Sequence, residues 1–390
     1  MELEMGRERS STLNLLCFFT ATFLVFINFY TSFTVLPLYI EKLGGTEFQI
    51  GLQSTIFLLT AVLLRLYFGP LADSRGRKLP LLVGAITFGT APLLFLGSKT
   101  VFILTLARIY QAVGLASYFS SASSYISDVA PPGKLGIYIG LHRLIITLAL
   151  LIGSPLSIFV LNNSGYRTWF LLSFLLGLPA VALIALLKVP DFAKIPEGTF
   201  NSLQYVADVL QNRRLWIIFA GIALASLCYG SLLTFATVYI ADVTEITNPG
   251  IYFTLFAIAS IAANLGAGYV SDILGRQIVI WPAVFLLGLG TASLVLLPQA
   301  SFILYFSSIV GGLGFAAGLP VLIAWLVETV DKRFRATAIS VQESTIDIAS
   351  AFGSLLVGFA SELAGLHLSF AGLGILISLL AGMIFIKNRF

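Results

Sequence analysis

The chain has 390 residues, of which 58% are hydrophobic and only 10% are charged, and its mean hydropathy is +0.98. A soluble domain carries about 25% charged residues, so this chain lacks the polar side chains to cover a water-exposed surface and belongs in a bilayer. Its two cysteines, Cys17 and Cys228, lie inside apolar runs, and the sequence has no Cys/His cluster, which argues against a disulfide framework and a metal site. The net charge is only +4, and we expect no nucleic-acid partner.

Twelve apolar runs follow one another along the chain, and each is close to the length of about 20 residues that a membrane-spanning helix needs. They predict an all-α membrane protein with twelve transmembrane helices, numbered one to twelve in chain order. The predicted helices lie at about 13–39, 49–71, 80–97, 101–126, 136–161, 168–188, 214–240, 250–271, 278–297, 301–327, 336–361 and 368–386. The first run is too long for a signal peptide and lacks a small-residue cleavage site, so we expect it to remain as helix one.

The longest polar stretch of the chain lies between helices six and seven. It divides the sequence into an N-terminal six-helix half (1–188), a linker (189–213) and a C-terminal six-helix half (214–390). Residues 200–216 are expected to form an amphipathic helix on the membrane surface.

A charged turn, residues 69–81, lies between helices two and three, and the second half carries a copy of it in residues 268–277. Four positions match at one constant spacing: Gly69 with Gly268, Asp73 with Asp272, Gly76 with Gly275, and Arg77 with Arg276. A constant spacing over four matches indicates a duplicated unit.

The pattern Gly-x-Leu-Ala-Asp-x-x-Gly-Arg-Lys in the first turn resembles the loop between helices two and three of the major facilitator superfamily, with Ser74 where that family usually has arginine. The resemblance extends over about residues 13–387. It implies two pseudo-symmetric six-helix bundles that rock around a substrate site, as in transporters built from parallel repeats. The sequence has no nucleotide-binding motif and no nucleophile–base set, so we expect neither ATP-driven transport nor an enzyme. We also expect no cofactor, and a monomer.

The same resemblance predicts a cytoplasmic gate at the two charged turns. Asp73 is expected near the start of helix eleven, where the helix dipole favours a negative charge. Arg77 is expected to pair with Asp128 and, by symmetry, Arg276 with Glu328. The predicted gate residues are Gly69, Asp73, Gly76, Arg77, Lys78, Asp128, Asp272, Arg276 and Glu328.

Most of the 22 lysine and arginine residues fall at helix ends that share one side of the membrane with the N-terminus. Cytoplasmic loops carry such an excess of basic residues. We therefore expect a multi-pass protein of the cell membrane with both termini in the cytoplasm.

Charged side chains inside a bilayer are costly, and they mark functional sites. Arg108 lies in the pattern Leu104-x-x-x-Arg108-x-x-Gln111-x-x-Gly114, which resembles a helix-four pattern of the same superfamily. The resemblance connects this arginine with proton coupling or with the charge of the substrate.

Helix eleven carries two acidic residues, Glu343 and Asp347, which are four positions apart and therefore share a face. Two carboxylates so close in a low dielectric resist being ionised together, so one of them could load and release a proton. We predict Asp347 as the main coupling group, and Glu343 and Arg108 as further proton-coupling residues. Helices two and eleven meet in the superfamily, and Arg65 and Glu343 lie at similar depths, so these two are predicted to form an ion pair between the halves.

A pocket for an amphipathic ligand is mostly apolar and aromatic, with a few polar groups. The residues predicted to line such a substrate cavity are Asn28, Tyr30, Tyr118, Arg143, Tyr229 and Trp325.

The leading functional hypothesis is a secondary transporter that exports a small amphipathic molecule in exchange for protons, or for sodium. Helix five retains Pro155 but lacks the fuller glycine-rich pattern of the superfamily's exporters, which weighs against antiport. One alternative is a proton-coupled importer of a sugar or an organic anion, in which Arg108 and Arg143 bind the anion. Another is a non-transporting membrane sensor, which would not need charges near the membrane midplane.

Overall fold

The computed structural model describes the backbone of residues 2–131, 134–187, 202–331 and 335–387, and their side chains except those of 2–12, 73–74, 135, 202–205 and 335–336. Apart from one 3-10 turn at Leu294–Leu296, the regular elements of these residues are α-helices. The helices are α1 (Glu2–Lys42), α2 (Glu47–Arg75), α3 (Lys78–Gly97), α4 (Val101–Val129), α5 (Leu135–Leu186), α6 (Ser202–Gln211), α7 (Arg213–Val243), α8 (Ile251–Leu274), α9 (Arg276–Ser293), α10 (Ile303–Thr329) and α11 (Arg335–Lys387).

Ten of the helices in the described residues are long and apolar enough to cross a membrane. Two of them, α5 with 52 residues and α11 with 53, are each long enough to cross twice. Each is interrupted by one glycine outside helical geometry, Gly165 (φ 77°, ψ 175°) and Gly365 (φ 79°, ψ 159°). Both glycines fall in the gaps predicted between helices five and six and between helices eleven and twelve. The all-α membrane fold is therefore confirmed, and the two breaks are consistent with twelve crossings.

The helix expected over 200–216 is shorter than predicted, because the chain begins a new helix before Trp216. Helix α6 ends at Gln211 and α7 begins at Arg213. The side-chain carbonyl of Asn212 accepts a hydrogen bond from the Arg214 backbone N–H at 3.1 Å, which caps the start of α7. The Trp216 indole N–H donates to the Leu210 carbonyl at 2.7 Å and holds the end of α6 against α7.

By its internal contacts the chain forms two compact units. Unit 1 comprises Met1–Ser32 and Thr60–Thr199, and unit 2 comprises Phe33–Leu59 and Phe200–Phe390. The division of the sequence into halves 1–188 and 214–390 with a linker between them remains a prediction.

Within unit 1, α3 packs closely on α4 and on the part of α5 that follows Gly165. A Cβ atom built on Gly89 of α3 would lie 3.3 Å from the Cα of Gly177 of α5, so the two backbones touch. Lipid tails are as apolar as leucine, so helices in a membrane gain little from hiding apolar surface, and close packing through small residues holds them together.

Within unit 2, hydroxyl side chains connect α11 with the first half of α2 and with α7. The Thr55 hydroxyl donates to the Ala351 carbonyl at 2.9 Å. The hydroxyls of Thr234 on α7 and Ser354 on α11 are hydrogen-bonded at 2.8 Å. Hydroxyl groups of this kind add interhelical bonds where lipid offers none.

The contact between α9 and α11 depends on Gly374, and it generates the first prediction. A Cβ atom at Gly374 would overlap the backbone of Gly288 and Ala292 in α9. Gly374→Ala should therefore destabilise the protein by about 1–3 kcal/mol, the usual effect of overpacking. The measurement is thermal unfolding of the purified protein in detergent.

The matched control is Gly372→Ala, because Gly372 lies on the same helix, is exposed and has open space around it. That variant should be as stable as the parent or slightly more stable, since alanine is the better helix former. Equal unfolding temperatures for the two variants would contradict the proposed contact.

Candidate functional site

The two charged turns have the same geometry. Helix α2 continues to Arg75 and α3 starts at Lys78, while α8 continues to Leu274 and α9 starts at Arg276. The chain reverses at Gly76 (φ 89°) and Gly275 (φ 96°), in a left-handed region that favours glycine. The turn expected over residues 69–81 is thus shorter than predicted, because one glycine with positive φ reverses the chain within about two residues.

Each turn presents its arginine to an acidic residue at the end of a neighbouring helix. The Arg77 Nε lies 3.1 Å from Asp128 Oδ2. Arg276 lies 2.6 Å from Glu328 Oε1 through Nη2 and 2.6 Å from Asp272 Oδ1 through Nη1. The ion pairs expected between Arg77 and Asp128 and between Arg276 and Glu328 are confirmed.

The structure gives less support for three other predicted gate residues, Lys78, Gly69 and Asp73. Lys78 is exposed, and the space around Gly69 is open. The expected approach of Asp73 to the start of α11 lies outside the described side chains.

Unit 1 contains a polar centre around Arg108 in α4. Only 1% of Arg108 is exposed, and its Nη1 donates to the Ser32 hydroxyl at 2.6 Å and to the side-chain carbonyl of Gln111. Asn28 donates its side-chain amide to the Ser173 carbonyl at 3.2 Å. A buried arginine needs such hydrogen-bond acceptors, because burying a charge without them is costly.

A narrow crevice between mostly aromatic side chains lies in the same unit. Its lining residues are Val25, Phe26, Phe29, Phe88, Leu115, Tyr118 and Phe119. Tyr118 is fully buried, and its hydroxyl is hydrogen-bonded to that of Thr22 at 2.9 Å. Tyr30 is also buried, with its ring 5.0 Å from that of Phe29. The structure therefore brings three predicted cavity residues, Asn28, Tyr30 and Tyr118, into one unit.

Arg65 lies beside the same group of aromatic rings. Its guanidinium carbon is 5.6 Å from the ring centroid of Phe119, within cation–π range. The predicted partner, Glu343, belongs to unit 2, and that ion pair stays a prediction.

The predicted coupling pair lies in α11 of unit 2. Glu343 and Asp347 are one helical turn apart, and both are half-buried. Asp347 is roughly 18 Å along the helix from Arg335 at ~1.5 Å per residue, in a span with mean hydropathy 2.3.

The remaining cavity candidates are half-buried and occupy separate elements. Arg143 lies in α5, and Trp325 lies in α10. Tyr229 of α7 lies in an aromatic cluster with Phe256 and Phe315.

Sequence reasoning missed Ser32, Phe256 and Phe315. Only Phe315 had a local signal, since it follows Gly311-Gly312-Leu313-Gly314, which allows close helix packing.

Comparison with known proteins assigns the family. The sequence profile of the Major Facilitator Superfamily matches residues 18–251 and 247–389. The chain belongs to the Major Facilitator Superfamily. Like its relatives in this superfamily, it is a multi-pass membrane transporter, and it is not an enzyme.

Two superfamily relatives match the chain over most of its length. An uncharacterised MFS-type transporter of Methanocaldococcus jannaschii is 23% identical, with 88% of this chain and 92% of the relative covered. The staphylopine export protein of Staphylococcus aureus is 24% identical, with 90% of each covered. The quinolone resistance protein NorA of Staphylococcus aureus is 25% identical over 60% of this chain and 63% of its own length.

Solved structures of other superfamily members share the fold. A bacterial homologue of the human lysosomal transporter Spinster superposes with a TM-score of 0.81 at 16% identity, covering 97% of each chain. The nucleoside transporter NupG superposes with a TM-score of 0.81 at 16% identity, covering 95% of this chain and 99% of its own.

The hydrogen bond between Tyr118 and Thr22 generates a second prediction. Tyr118→Phe leaves the buried Thr22 hydroxyl without this bond and should cost about 1–3 kcal/mol of stability, measured by thermal unfolding. Adding Thr22→Val should restore part of the loss, because both polar groups are then gone.

The matched control is Tyr110→Phe, which removes a similar bond to Thr90 (2.7 Å) at a half-exposed site. Its effect should be smaller. If the Thr22→Val/Tyr118→Phe double variant is no more stable than Tyr118→Phe, the hydrogen bond is not what stabilises this centre.

Proposed function

We propose that this transporter exports a small amphipathic molecule in exchange for protons, by alternating access, with both termini in the cytoplasm. The names of two relatives support export: one is a staphylopine export protein, and the other is a quinolone resistance protein. The basic residues clustered at one set of helix ends support the orientation. The nucleoside transporter at 16% identity supports the fold alone.

The observation that carries proton coupling is the pair Glu343 and Asp347. Both lie on one face of α11, inside a span apolar enough to cross the membrane. An acidic pair at that depth costs stability, and it is retained where a proton or an ion must be handled. Asp347 lies deeper than Glu343 from the start of α11, so we assign it the coupling proton.

A second candidate function is proton-coupled uptake of a sugar or an organic anion. It is supported by Arg108, which is fully buried and donates hydrogen bonds to the neutral groups of Ser32 and Gln111. A permanent positive charge in such surroundings suits an anionic substrate group. Arg143 would add a second positive charge in the same unit.

We further propose that the two charged turns act as a cytoplasmic gate. The ion pairs of Arg77 with Asp128 and of Arg276 with Glu328 support this, since each holds a turn against the end of a neighbouring helix. Both pairs lie at the ends of helices, and Glu328 is exposed. Ion pairs near a protein surface are worth about 0–1 kcal/mol. Pairs of that strength can form and break at each transport cycle.

The coupling assignment predicts the behaviour of Asp347→Asn. This variant should lose gradient-driven transport, because an amide cannot bind and release the proton. Exchange of substrate without a gradient should survive. The measurement uses proteoliposomes, a panel of labelled amphipathic cations and organic anions, and an imposed pH step, with the direction of movement recorded.

Glu343→Gln is the matched control, one turn away on the same helix. It should retain uphill transport in larger part than Asp347→Asn. Asp347→Asn accumulating substrate as the parent does would refute the assignment, and a sodium gradient would then be the next driving force to test. Net uptake of anions in place of export of cations would favour the second candidate function.

The gate predicts that Asp73→Asn slows transport and favours the inward-open state, because an amide carries no negative charge for the helix dipole that the resemblance to the superfamily predicts beside it. The measurement is turnover, together with thiol labelling of a cysteine introduced at the exposed Leu79 in a cysteine-free background. Labelling should become faster in the variant. If turnover and labelling both match the parent, Asp73 has no part in gating.

A further inference from the structure

Three aromatic side chains of unit 2 form a cluster that has no part in the proposed roles of the charged residues. Tyr229 of α7 and Phe315 of α10 are stacked, with ring centroids 4.1 Å apart and an interplanar angle of 18°. Phe256 of α8 lies behind them, with its centroid 6.0 Å from Tyr229 and 5.8 Å from Phe315. Three different helices thus contribute one ring each.

Close contact between α8 and α10 fixes the position of the cluster. A Cβ atom at Gly312 would overlap the backbone of Phe256, so only glycine allows this approach. The Ser260 hydroxyl donates to the Gly312 carbonyl at 3.1 Å and holds the two helices together. Phe315 follows Gly312 by about one helical turn, and its ring is therefore held against Phe256.

Tyr229 and Phe315 are both half-exposed, whereas Phe256 is only 2% exposed. On α7, Tyr229 lies about 180° around the helix from the exposed Ala220, at about 100° per residue. On α10, Phe315 lies about 120° from the exposed Ile309 by the same rule. Both rings therefore point away from the outward faces of their helices.

The side of α10 that carries Phe315 is otherwise closed. Gly311, Leu319 and Leu322 lie on that side, and all three are buried. The accessible part of the Phe315 ring is consequently directed away from the exposed stripe of α10.

We propose that Tyr229 and Phe315 form a stacking subsite for a planar aromatic ring of the transported molecule. This inference rests on the proposed export of an amphipathic molecule, and it narrows that class to molecules with a flat aromatic portion. Aromatic rings attract one another through offset stacking beyond the area that they bury. A stack that already exists, with its members fixed by Phe256 and Gly312, binds a further ring without losing side-chain freedom.

The test is equilibrium binding to the purified protein in nanodiscs, without a gradient. The probes are 2-naphthylethylammonium and its saturated decahydronaphthyl analogue, which share charge and length. The parent should bind the flat probe more tightly. Phe315→Leu and Tyr229→Leu should each weaken naphthyl binding roughly three- to tenfold, the size of an aromatic pair contribution, and leave the saturated probe nearly unchanged.

Three further variants separate the subsite from other causes. Tyr229→Phe retains a ring and should retain the preference for the flat probe. Phe306→Leu removes an exposed ring on the same helix and should change neither affinity. Asp347→Asn should also keep the preference, so a failure of proton coupling does not imitate a failure of the subsite.

Equal losses for both probes in Phe315→Leu would overturn the proposal, because they would show a loss of apolar area alone. It would also be overturned if Phe306→Leu weakened naphthyl binding as much as Phe315→Leu. Thermal unfolding of each variant accompanies the titrations. Should Phe315→Leu fail to fold, Tyr229→Leu compared with Tyr229→Phe carries the same test.

Discussion

Inside hydrocarbon the backbone has no water to bond with, so every N–H and C=O group must find a partner within the protein. This constraint makes the described membrane spans helical and restricts where the chain can turn. Among the described residues, positive φ occurs at five glycines and at no other residue type: Gly44, Gly76, Gly165, Gly275 and Gly365. Each of the five lies at a helix end or at a break within a long helix. A change of direction at one glycine leaves few backbone groups unbonded, and the connections can stay short.

The same glycines position the charges. Arg77 follows Gly76, and Arg276 follows Gly275, so each arginine stands at the start of a helix and beside the end of another. One local turn therefore reverses the chain and brings a guanidinium to a carboxylate in both halves of the duplicated sequence. The equivalence of the two ion pairs follows from the equivalence of two short turns, and it needs no similarity in the helices between them.

This explains what the sequence could predict. The Arg77 and Arg276 pairs depend on a local motif that occurs twice, and both were found in the structure. The breaks at Gly165 and Gly365 were placed correctly because apolar runs must end there. The bond from Arg108 to Ser32 was not predicted, since it depends on how α1 and α4 pack, and hydroxyl side chains are common in every helix. Phe315 was missed for a similar reason. The chain has 32 phenylalanines, and only the contacts between helices show which of their rings stack.

The two units carry charges of opposite sign in their apolar helices. Unit 1 holds Arg65, Arg108 and Arg143, whereas α11 of unit 2 holds Glu343 and Asp347. An arginine is effectively always protonated in a protein, so it cannot deliver and recover a proton during a cycle. A carboxylate can, and its tendency to do so rises as water is excluded from around it. If protons drive this transporter, Glu343 and Asp347 are the groups that we propose to carry them. On that proposal Arg108 acts through its fixed charge, on the substrate or on the helices around it, and the two copies of the duplicated bundle have different tasks.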